Sequence, residues 1–395
     1  MLIGLLGKPS SGKSTFFQAA TGIPVERAPY PFTTIKPNHG VGYIRIECVE
    51  KELGVKCNPR AGFCIDGNRF VAVELMDVAG LVPGAHEGKG LGNQFLDDLR
   101  KADALIHILD VSGGTNEKGE KVPAGSYDPV NDVKFLEDEL NYWFKGILDK
   151  NFHKLVREQN VKKLEDLLFD QFTGLGISKD AIMKTLDSLG LKERRLEEWI
   201  EEEKYNFCKR MRELGKPIVI AANKADLIHS KENIKRIKEI FPHYKIIPCS
   251  AEAEITLREA SKKGFIKYIP GNNSFELTKE LNPQQKQAMD FLSNFIKQYE
   301  EGTGVQKVMN TAVLDLLGYI AIFPGGIHKL ADSQGRVLPD VFLLPPGSSA
   351  KDFAAAIHTD LAEGFVKAID VKTKKPMGGE HPLKHRDVIE IMFKK

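Results

Sequence analysis

The chain has 395 residues, of which 42% are hydrophobic and 28% charged, a composition typical of a protein that folds around an ordinary core. The chain has 56 Lys and Arg against 54 Asp and Glu, so its net charge gives no indication of a nucleic-acid partner. No apolar run is long enough to span a membrane. Five cysteines cannot all pair, and the short apolar start lacks a charged leader, so we expect a cytoplasmic protein. Cys57 and Cys64 have no matching second pair, a pattern that favours free thiols over a zinc site.

Five short apolar runs end in polar or glycine-rich turns, and helix-like stretches separate them. This alternation predicts an α/β fold with a mostly parallel sheet that is buried on both faces. Ligands of such sheets bind where the carboxyl ends of the strands meet their loops. We therefore expect one site, assembled from the loops after these runs: LIGLLG, FVAVELMDVAG, DALIHILDVSG, PIVIAANKAD and YKIIPCSA.

About a hundred residues separate the third and fourth of these runs, far more than a crossover helix needs. Apolar residues recur there at helical spacing, in Val133, Leu136, Leu140, Trp143 or Phe144, and Ile147, and again in Leu196, Ile200, Phe207 and Met211. Ser178 has the position of a helix cap, with Asp180 in the first turn. These features predict an inserted antiparallel helical arm over residues 129–211, whose aromatic side chains pack a core.

The remaining residues divide into two predicted units. Residues 1–128 and 212–305 are predicted to form the α/β domain, which ends in an amphipathic helix through Met289, Leu292 and Ile296. Near Leu317 the pattern changes to short strands with tight turns, one helix and a closing strand. Residues 318–395 are therefore predicted to be a small α+β module.

The segment GKPSSGKS, Gly7 to Ser14, matches G-x-x-x-x-G-K-[ST] between a predicted strand and a predicted helix. Its glycines let successive N–H groups point at phosphate oxygens, and the start of the helix adds its positive end. Lys13 is predicted to bridge the β- and γ-phosphates, and the Ser14 hydroxyl to ligate Mg²⁺. The other nucleotide contacts are assigned to Lys8, Pro9, Ser10, Ser11, Gly12 and Thr15.

The segment Asn223-Lys224-Ala225-Asp226 follows the fourth apolar run. A carboxylate can accept both the N1–H and the exocyclic amino protons of guanine, whereas adenine offers no such pair, so Asp226 is predicted to select guanine. Lys224 is expected to lie along the base and Asn223 to brace the phosphate loop. Ser250 and Ala251 are expected to supply backbone contacts to the base, with Ser250 also orienting Asp226.

Two further segments have the pattern of γ-phosphate sensors. Thr33 and Thr34 lie in a proline-bounded loop, and Thr34 is the preferred magnesium and γ-phosphate contact. Asp77 is predicted to hold Mg²⁺ through water, and the Gly80 N–H to contact the γ-phosphate. Leu81 then stands where many such enzymes have the glutamine that orients the attacking water.

Together these motifs resemble translation-factor-type P-loop GTPases. YPFTTIKPNHG and DVAGLVPGAHEGKGLGNQFL are similar to Obg-like GTPases. The helical insert, with FLLPPGSSAKDFAAAIHTDLAEGF and RDVIEI, is similar to the YchF branch and its carboxyl-terminal TGS domain, a β-grasp unit. The resemblance implies a hydrophobic residue in place of the catalytic glutamine, as Leu81 is here.

The chain departs from this family pattern at two positions. Many YchF relatives lack the guanine-reading aspartate and prefer ATP, whereas Asp226 is present here, which favours GTP. Ser10 replaces an asparagine that the family associates with K⁺, which argues against potassium assistance. His86 and Glu87 are the polar residues near Leu81, and His86 is a candidate for positioning water.

The motifs predict a monomeric, slow Mg²⁺-dependent GTPase that alternates between GTP and GDP states. The resemblance implies the ribosome or structured RNA as partner, and no membrane. The carboxyl-terminal third of the last module concentrates basic residues that could engage phosphates: Lys367, Lys372, Lys374, Lys375, Lys384, Arg386, Lys394 and Lys395. Two alternatives remain open, namely an ATP-preferring YchF-type ATPase and a nucleotide-gated binding module with negligible hydrolysis.

Overall fold

The computed structural model describes residues 1–22, 39–78 and 98–394. Its larger sheet has the strand order β2-β4-β1-β5-β6-β7, with β3 paired to β4. The neighbours from β4 to β7 along this order are parallel, so the predicted mostly parallel sheet is confirmed. The strands are β1 Leu2–Leu6, β2 His39–Glu47, β3 Phe63–Ile65, β4 Asn68–Asp77, β5 Ala104–Asp110, β6 Ile218–Asn223 and β7 Lys245–Pro248.

The register of the parallel strands brings their polar ends to one edge. Leu5 is paired with Asp77 across β1 and β4, and Asp110 with Asn223 across β5 and β6. Every residue of β5 and β6 is buried, because helices cover both faces of the sheet. At the other end of the order β2 is antiparallel to β4, a direction that the apolar pattern does not specify.

The inserted arm consists of five helices, α2 Val130–Lys150, α3 Phe152–Glu158, α4 Leu164–Phe172, α5 Lys179–Ser188 and α6 Glu201–Gly215. Their apolar faces share one core with Leu6, Met76, Leu105 and Ile218, so the arm also covers one face of the sheet. Ser178 accepts a hydrogen bond from Ala181 N at 3.1 Å and caps α5 as predicted. No helix among the described residues is long and apolar enough to cross a bilayer.

The prediction that Ile200 belongs to the apolar face of the arm was wrong. Ile200 was expected to be buried with Phe207 and Met211, but 59% of it is exposed. The helix begins at Glu201, where three glutamates occupy its first turn, and Ile200 is the residue before it. The helical spacing therefore does not extend back to Ile200, which lies outside the helix.

The helices from the rest of the nucleotide-binding region pack on both faces of the sheet. Helix α9 begins with a capping box formed by Asn282 and Gln285, and Pro283 is its first residue. Its buried side chains include the predicted Met289, Leu292 and Ile296. The elements are α1 Lys13–Thr21, α7 Ser230–Ile240, α8 Ala251–Lys262, the hairpin β8 Ile266–Lys267 with β9 Glu276–Leu277, α9 Pro283–Gln298, α10 Val305–Asn310 and a π-helical turn Thr311–Leu316.

A second sheet, of order β11-β10-β14-β12-β13, forms the carboxyl-terminal module. Its strands β10 and β14 are parallel, whereas the other pairs are antiparallel. Phe353 of α11 packs with Ile322, Ala368 and Ile389 to form the core of this module. The elements are β10 Ile320–Pro324, β11 Phe342–Leu344, α11 Ala350–Ile357, α12 Thr359–Glu363, β12 Phe365–Asp370, β13 Pro376–Met377 and β14 Val388–Phe393.

The carboxyl-terminal module is docked against β2, β4 and the loop between β2 and β3. The buried guanidinium of Arg69 donates hydrogen bonds to the carbonyl oxygens of Leu338 and Pro339 at 3.1 and 2.9 Å. Hydrophobic residues of both units, among them Leu338 and Val73, belong to one buried cluster. The docking is therefore partly apolar and partly a set of hydrogen bonds to buried carbonyl groups.

Two members of the predicted basic cluster contribute to this docking. Arg386 pairs with Glu47 at 3.0 Å and also contacts Glu52, while Lys372 pairs with Glu52 at 2.7 Å. Within the described part of the chain these two cations have protein carboxylates as partners. The sequence offered them as part of a cluster that could engage phosphates, but in the structure glutamates more than three hundred residues earlier in the chain pair with them.

Candidate nucleotide site

The phosphate loop follows β1 and leads into α1. Gly12 has φ 93°, a conformation that side chains disfavour, and a Cβ there would lie 2.3 Å from Asn223 Nδ2. Ser10 also has a positive φ, of 61°. The loop thus turns sharply enough to begin α1 at Lys13, and Thr15 lies in the first turn of that helix. Pro9, Ser10 and Ser14 are exposed at this end of the sheet.

The loop has hydrogen-bonding capacity that no group in the described part of the chain uses. Among the described residues no side chain caps α1, which leaves the first N–H groups of this helix available to an anion. Ser11 Oγ is buried and has no partner among the described residues. Asn223 braces the loop, since its Nδ2 donates to Ser11 O at 3.0 Å and its Oδ1 accepts from Ala251 N at 3.1 Å.

Lys13 and Asp77 meet at the edge of β1 and β4, and Ser14 follows Lys13 in α1. The ammonium group of Lys13 contacts the Asp77 carboxylate, and both side chains are partly exposed. A hydroxyl and a carboxylate are the hard oxygen ligands that Mg²⁺ prefers when it binds together with phosphate oxygens. The donor set of Ser14 and Asp77 therefore fits this ion.

The Lys8 side chain points away from the phosphate loop. Its ammonium group pairs with the buried Asp132 at 2.8 Å, donates to Thr115 O at 2.8 Å and lies 3.9 Å from the centre of the Tyr127 ring. Burial raises the pKa of Asp132 and outweighs the opposing effect of Lys8. The Lys8 side chain therefore links the phosphate loop to α2. Only the backbone of Lys8 remains a candidate for the predicted nucleotide contact.

Asp110 is a buried residue of the site that sequence reasoning missed. It accepts hydrogen bonds from Lys224 Nζ at 2.8 Å, Thr115 Oγ1 at 2.8 Å, and both N and Oγ of Ser112 at 3.1 and 2.6 Å. Burial opposes ionisation of Asp110, but the hydrogen bonds from Lys224, Ser112 and Thr115 outweigh it and lower the pKa. Asp110 could have been found from its position at the end of the apolar run DALIHILD, because the end of this strand lies at the same edge of the sheet as Asn223.

Lys224 connects this carboxylate to the phosphate loop. Besides its bond to Asp110, its ammonium group donates to Ser10 O at 2.9 Å, so its side chain crosses the loop. Asp226 is half-buried two residues later, beside a cavity of about 350 Å³ whose lining also includes Phe295 and Gln298. No hydrogen-bond donor within the described chain is directed at the Asp226 carboxylate, which leaves both of its oxygens available.

The N–H groups of Ser250 and Ala251, which were expected to contact the base, both donate to protein acceptors in this structure. Ser250 N donates to Thr303 O at 2.9 Å, and Ala251 N donates to Asn223 Oδ1. The Ser250 hydroxyl accepts from Ala253 N at 3.2 Å and caps α8, so it does not orient Asp226. The reason is that a helix starts here, and its first N–H groups need acceptors.

The remaining predicted residues lie outside the described ranges. They are Thr33 and Thr34 of the first switch, and Gly80, Leu81, His86 and Glu87 of the second. Asp77 is the last described strand residue before the second switch. The assigned roles of these six residues remain predictions from the sequence.

A phosphate loop that opens a helix at the carboxyl edge of a parallel sheet, with an Asn-Lys-X-Asp turn bracing that loop, defines a P-loop GTPase. Family models agree with this class along most of the chain. The 50S ribosome-binding GTPase model matches residues 2–136, the Obg-like GTPase YGR210-like, G4 motif-containing domain matches residues 221–325, and the TGS domain matches residues 334–393.

Individual relatives cover nearly the whole chain. An uncharacterized GTP-binding protein of Methanocaldococcus jannaschii is 48% identical over 99% of this chain and 98% of its own length. The crystal structure of a GTP binding protein from Pyrococcus horikoshii OT3 is 36% identical, covers 100% of both chains and has a TM-score of 0.77. The chain belongs to the Obg-like GTPase family.

The resemblance to the YchF branch is also confirmed. The ribosome-binding ATPase YchF of Bacillus subtilis is 27% identical over 95% of this chain and 90% of its own length. The TGS match covers β11 to β14, the part of the chain in which a β-grasp unit was expected.

Proposed function

We propose that this protein is a slow GTP-hydrolysing switch that reports its nucleotide state to the ribosome. The observation that carries the proposal is the Asp226 carboxylate, half-buried at the edge of the sheet and without a protein donor in the described structure. A carboxylate in this state gains two charge-assisted hydrogen bonds from the N1–H and exocyclic amine of guanine. Adenine would present an acceptor to the same group and leave it unpaired.

The phosphates of the nucleotide would bind at the amino end of α1. Lys13 would move from Asp77 to the β- and γ-phosphates, and Ser14 and Asp77 would hold Mg²⁺. The ion supplies positive charge against the charge that develops on the phosphoryl oxygens. The network of Asn223, Lys224 and Asp110 supports this geometry by holding the phosphate loop from behind.

Hydrolysis is proposed to be slow because Leu81 cannot orient a water molecule. Thr34 and the Gly80 N–H are assigned to the γ-phosphate, so binding would still be sensed. His86 is a candidate for holding the water in the isolated protein. A surface of the ribosome that reorders the second switch is the stronger candidate, because Leu81 stands where many such enzymes have the water-orienting glutamine.

The ribosome is proposed as partner on two grounds. The YchF relative of Bacillus subtilis is named a ribosome-binding ATPase. In the carboxyl-terminal module the side chains of Lys367, Lys374, Lys375, Lys384 and Lys394 are exposed, whereas Lys372 and Arg386 are docking residues and Lys395 lies outside the described residues. Exposed lysines of this kind favour a phosphate backbone and make its binding salt-dependent.

A second candidate function is a nucleotide-gated binding module with negligible hydrolysis, which the presence of Leu81 favours. Single-turnover hydrolysis of GTP with and without ribosomes separates the two. The proposed switch should release phosphate at least about tenfold faster with ribosomes, a modest fraction of what an activating partner can supply. Phosphate release in neither condition would overturn the enzymatic proposal and support the binding module.

The partner is tested by charge reversal in the full chain. Lys375→Glu with Lys384→Glu should weaken ribosome binding, because both residues are exposed on the proposed surface. Lys235→Glu with Lys286→Glu is the matched control, since it makes the same charge change at exposed positions of α7 and α9. Equal weakening by the two pairs would contradict the assigned surface.

A further inference from the structure

Four potential metal ligands converge where β2 ends. Cys48 follows β2 directly, Glu50 and Cys57 belong to the loop after it, and Cys64 lies in β3. The three sulfur atoms and a carboxylate oxygen all lie within 4.8 Å of one another. The sequence favoured free thiols because Cys57 and Cys64 lacked a matching pair, but folding brings Cys48 and Glu50 to them.

Two of the distances between these atoms equal those expected between the ligands of a tetrahedrally coordinated ion. With zinc–sulfur bonds near 2.3 Å and a zinc–oxygen bond near 2.1 Å, tetrahedral angles place two sulfurs about 3.8 Å apart and a sulfur and an oxygen about 3.6 Å apart. Cys48 Sγ and Cys57 Sγ are separated by 3.8 Å, and Cys64 Sγ and Glu50 Oε1 by 3.6 Å. A disulfide would need its sulfurs at about 2.05 Å, far closer than this pair.

The backbone holds the ligands in this arrangement. Glu50 Oε2 accepts a hydrogen bond from Cys57 N at 2.9 Å, which orients the carboxylate and leaves Oε1 facing Cys64. Asp66 and Gly67 both have positive φ, of 49° and 80°, as the two-residue turn after β3 requires. Gly67 O in turn accepts from Cys48 N at 2.8 Å, so the turn ties both strands together.

We propose that Cys48, Glu50, Cys57 and Cys64 bind one structural Zn²⁺ ion. Three thiolates exclude the hard cations Ca²⁺ and Mg²⁺, which take oxygen ligands. Iron–sulfur clusters of the common types need four cysteines or additional histidines, which the set does not provide. Four protein ligands close the coordination sphere, so the ion is structural, with no open position for catalysis.

The ion shapes the loop that receives the carboxyl-terminal module. Between Cys48 and Phe63 the chain has neither helix nor strand, so a metal supplies the constraint that backbone ladders provide elsewhere. Asn58 N and Arg60 N of this loop donate to the carbonyl oxygens of Val337 and Pro339, at 2.8 and 2.9 Å. Loss of the ion is therefore expected to loosen the attachment of the module as well as the loop.

Elemental analysis of the full-length protein, purified without chelator from zinc-supplemented cells, tests the proposal. We expect about one zinc per chain in the wild type and less than about 0.1 in Cys64→Ser, because a structural site needs all four ligands. Cys208→Ser is the matched control, since Cys208 lies in α6 away from the cluster, and it should retain the wild-type content. Equal zinc in the two variants would overturn the assignment of ligands.

Two measurements on the wild type keep the test independent of how the variants fold. Co²⁺ added to zinc-stripped protein should give thiolate-to-metal charge-transfer absorption, which Zn²⁺ then abolishes. Thiol titration of the denatured, chelated protein should detect all five cysteines. Three thiols would indicate a disulfide, and five thiols without zinc or cobalt binding would indicate free cysteines; either result, or iron in place of zinc, would overturn the proposal.

Discussion

Asp110→Asn tests the buried network that supports the phosphate loop. The Asp110 side chain is fully buried, and its two oxygens accept four hydrogen bonds, one of them from the Lys224 ammonium group. Asparagine replaces one oxygen with an NH₂ group, which cannot accept. Either Lys224 Nζ or Ser112 N then faces a donor, since neither of these groups can turn into an acceptor.

The expected cost follows from burial. Removing one partner of a fully buried ion pair costs roughly 3–5 kcal/mol. Because 28% of the Lys224 side chain is exposed, water compensates part of the loss, and we expect about 2–3 kcal/mol. Lys224 also holds Ser10 O, so the affinity for GTP and ATP alike should fall by about tenfold, equivalent to ~1.4 kcal/mol.

The assay is urea unfolding followed by far-ultraviolet circular dichroism, because Trp143 and Trp199 both lie in the helical arm and would report on that unit. Asp128→Asn is the matched control, since Asp128 forms an exposed pair with Arg236, and it should cost less than about 1 kcal/mol. Equal unfolding midpoints and nucleotide affinities for the two variants would refute the reasoning.

The same variant has an expected pH signature. The pKa of Asp110 is lower in the folded protein than its ordinary value of 3.8. Its stabilisation is therefore complete above pH 3.8 and is lost as the pH falls through the folded pKa. The difference between wild type and Asp110→Asn should shrink on acidification below about pH 4.

Three further changes have distinct expected results. Asn223→Ala leaves the buried Ala251 N–H unpaired, and should cost about 1–3 kcal/mol of stability and weaken GTP and ATP equally in calorimetric titrations. Burial lowers the pKa of His107 to about 4, so between pH 7 and pH 5 the wild type should lose about 2 kcal/mol more stability than His107→Phe in urea titrations. Arg69→Met removes two buried hydrogen bonds to the carboxyl-terminal module and should speed cleavage of this module from the chain in limited proteolysis. Arg60→Met, which removes an exposed ion pair, should not change the cleavage rate, and equal cleavage rates for the two variants would contradict the docking described.

The parts of the fold that follow from local pattern were predictable. Buried apolar runs that end in polar turns identified the parallel strands. The position of Ser178 before a helical pattern identified the start of α5. The direction of β2 was not predictable, because alternation of side chains is the same in parallel and antiparallel strands. Strand β12 has no clear signal in the sequence, because two of its six residues, Val366 and Lys367, face solvent and it lacks a long apolar run.

The site was predictable where a motif is contiguous and unpredictable where distant residues meet. The phosphate loop and Asn223 are local patterns, and the structure places them together. Nothing in the sequence near Arg386 indicates that Glu47 and Glu52 neutralise it. The cluster of Cys48, Glu50, Cys57 and Cys64 was also unpredictable, because folding of a hairpin and a loop brings the four residues together. The spacing of the cysteines alone does not indicate this set of ligands.

The central claim, that Asp226 makes this protein a guanine-nucleotide switch, is tested most directly by a competition series of GTP against ATP on wild type and Asp226→Ala. Wild type should prefer GTP, and the variant should lose roughly 3 kcal/mol, or ~100-fold, in GTP affinity through two charge-assisted hydrogen bonds. Its ATP affinity should stay within about threefold, because adenine makes no bond to this carboxylate. ATP binding more tightly than GTP to the wild type, or an equal loss of both nucleotides in Asp226→Ala, would contradict the account.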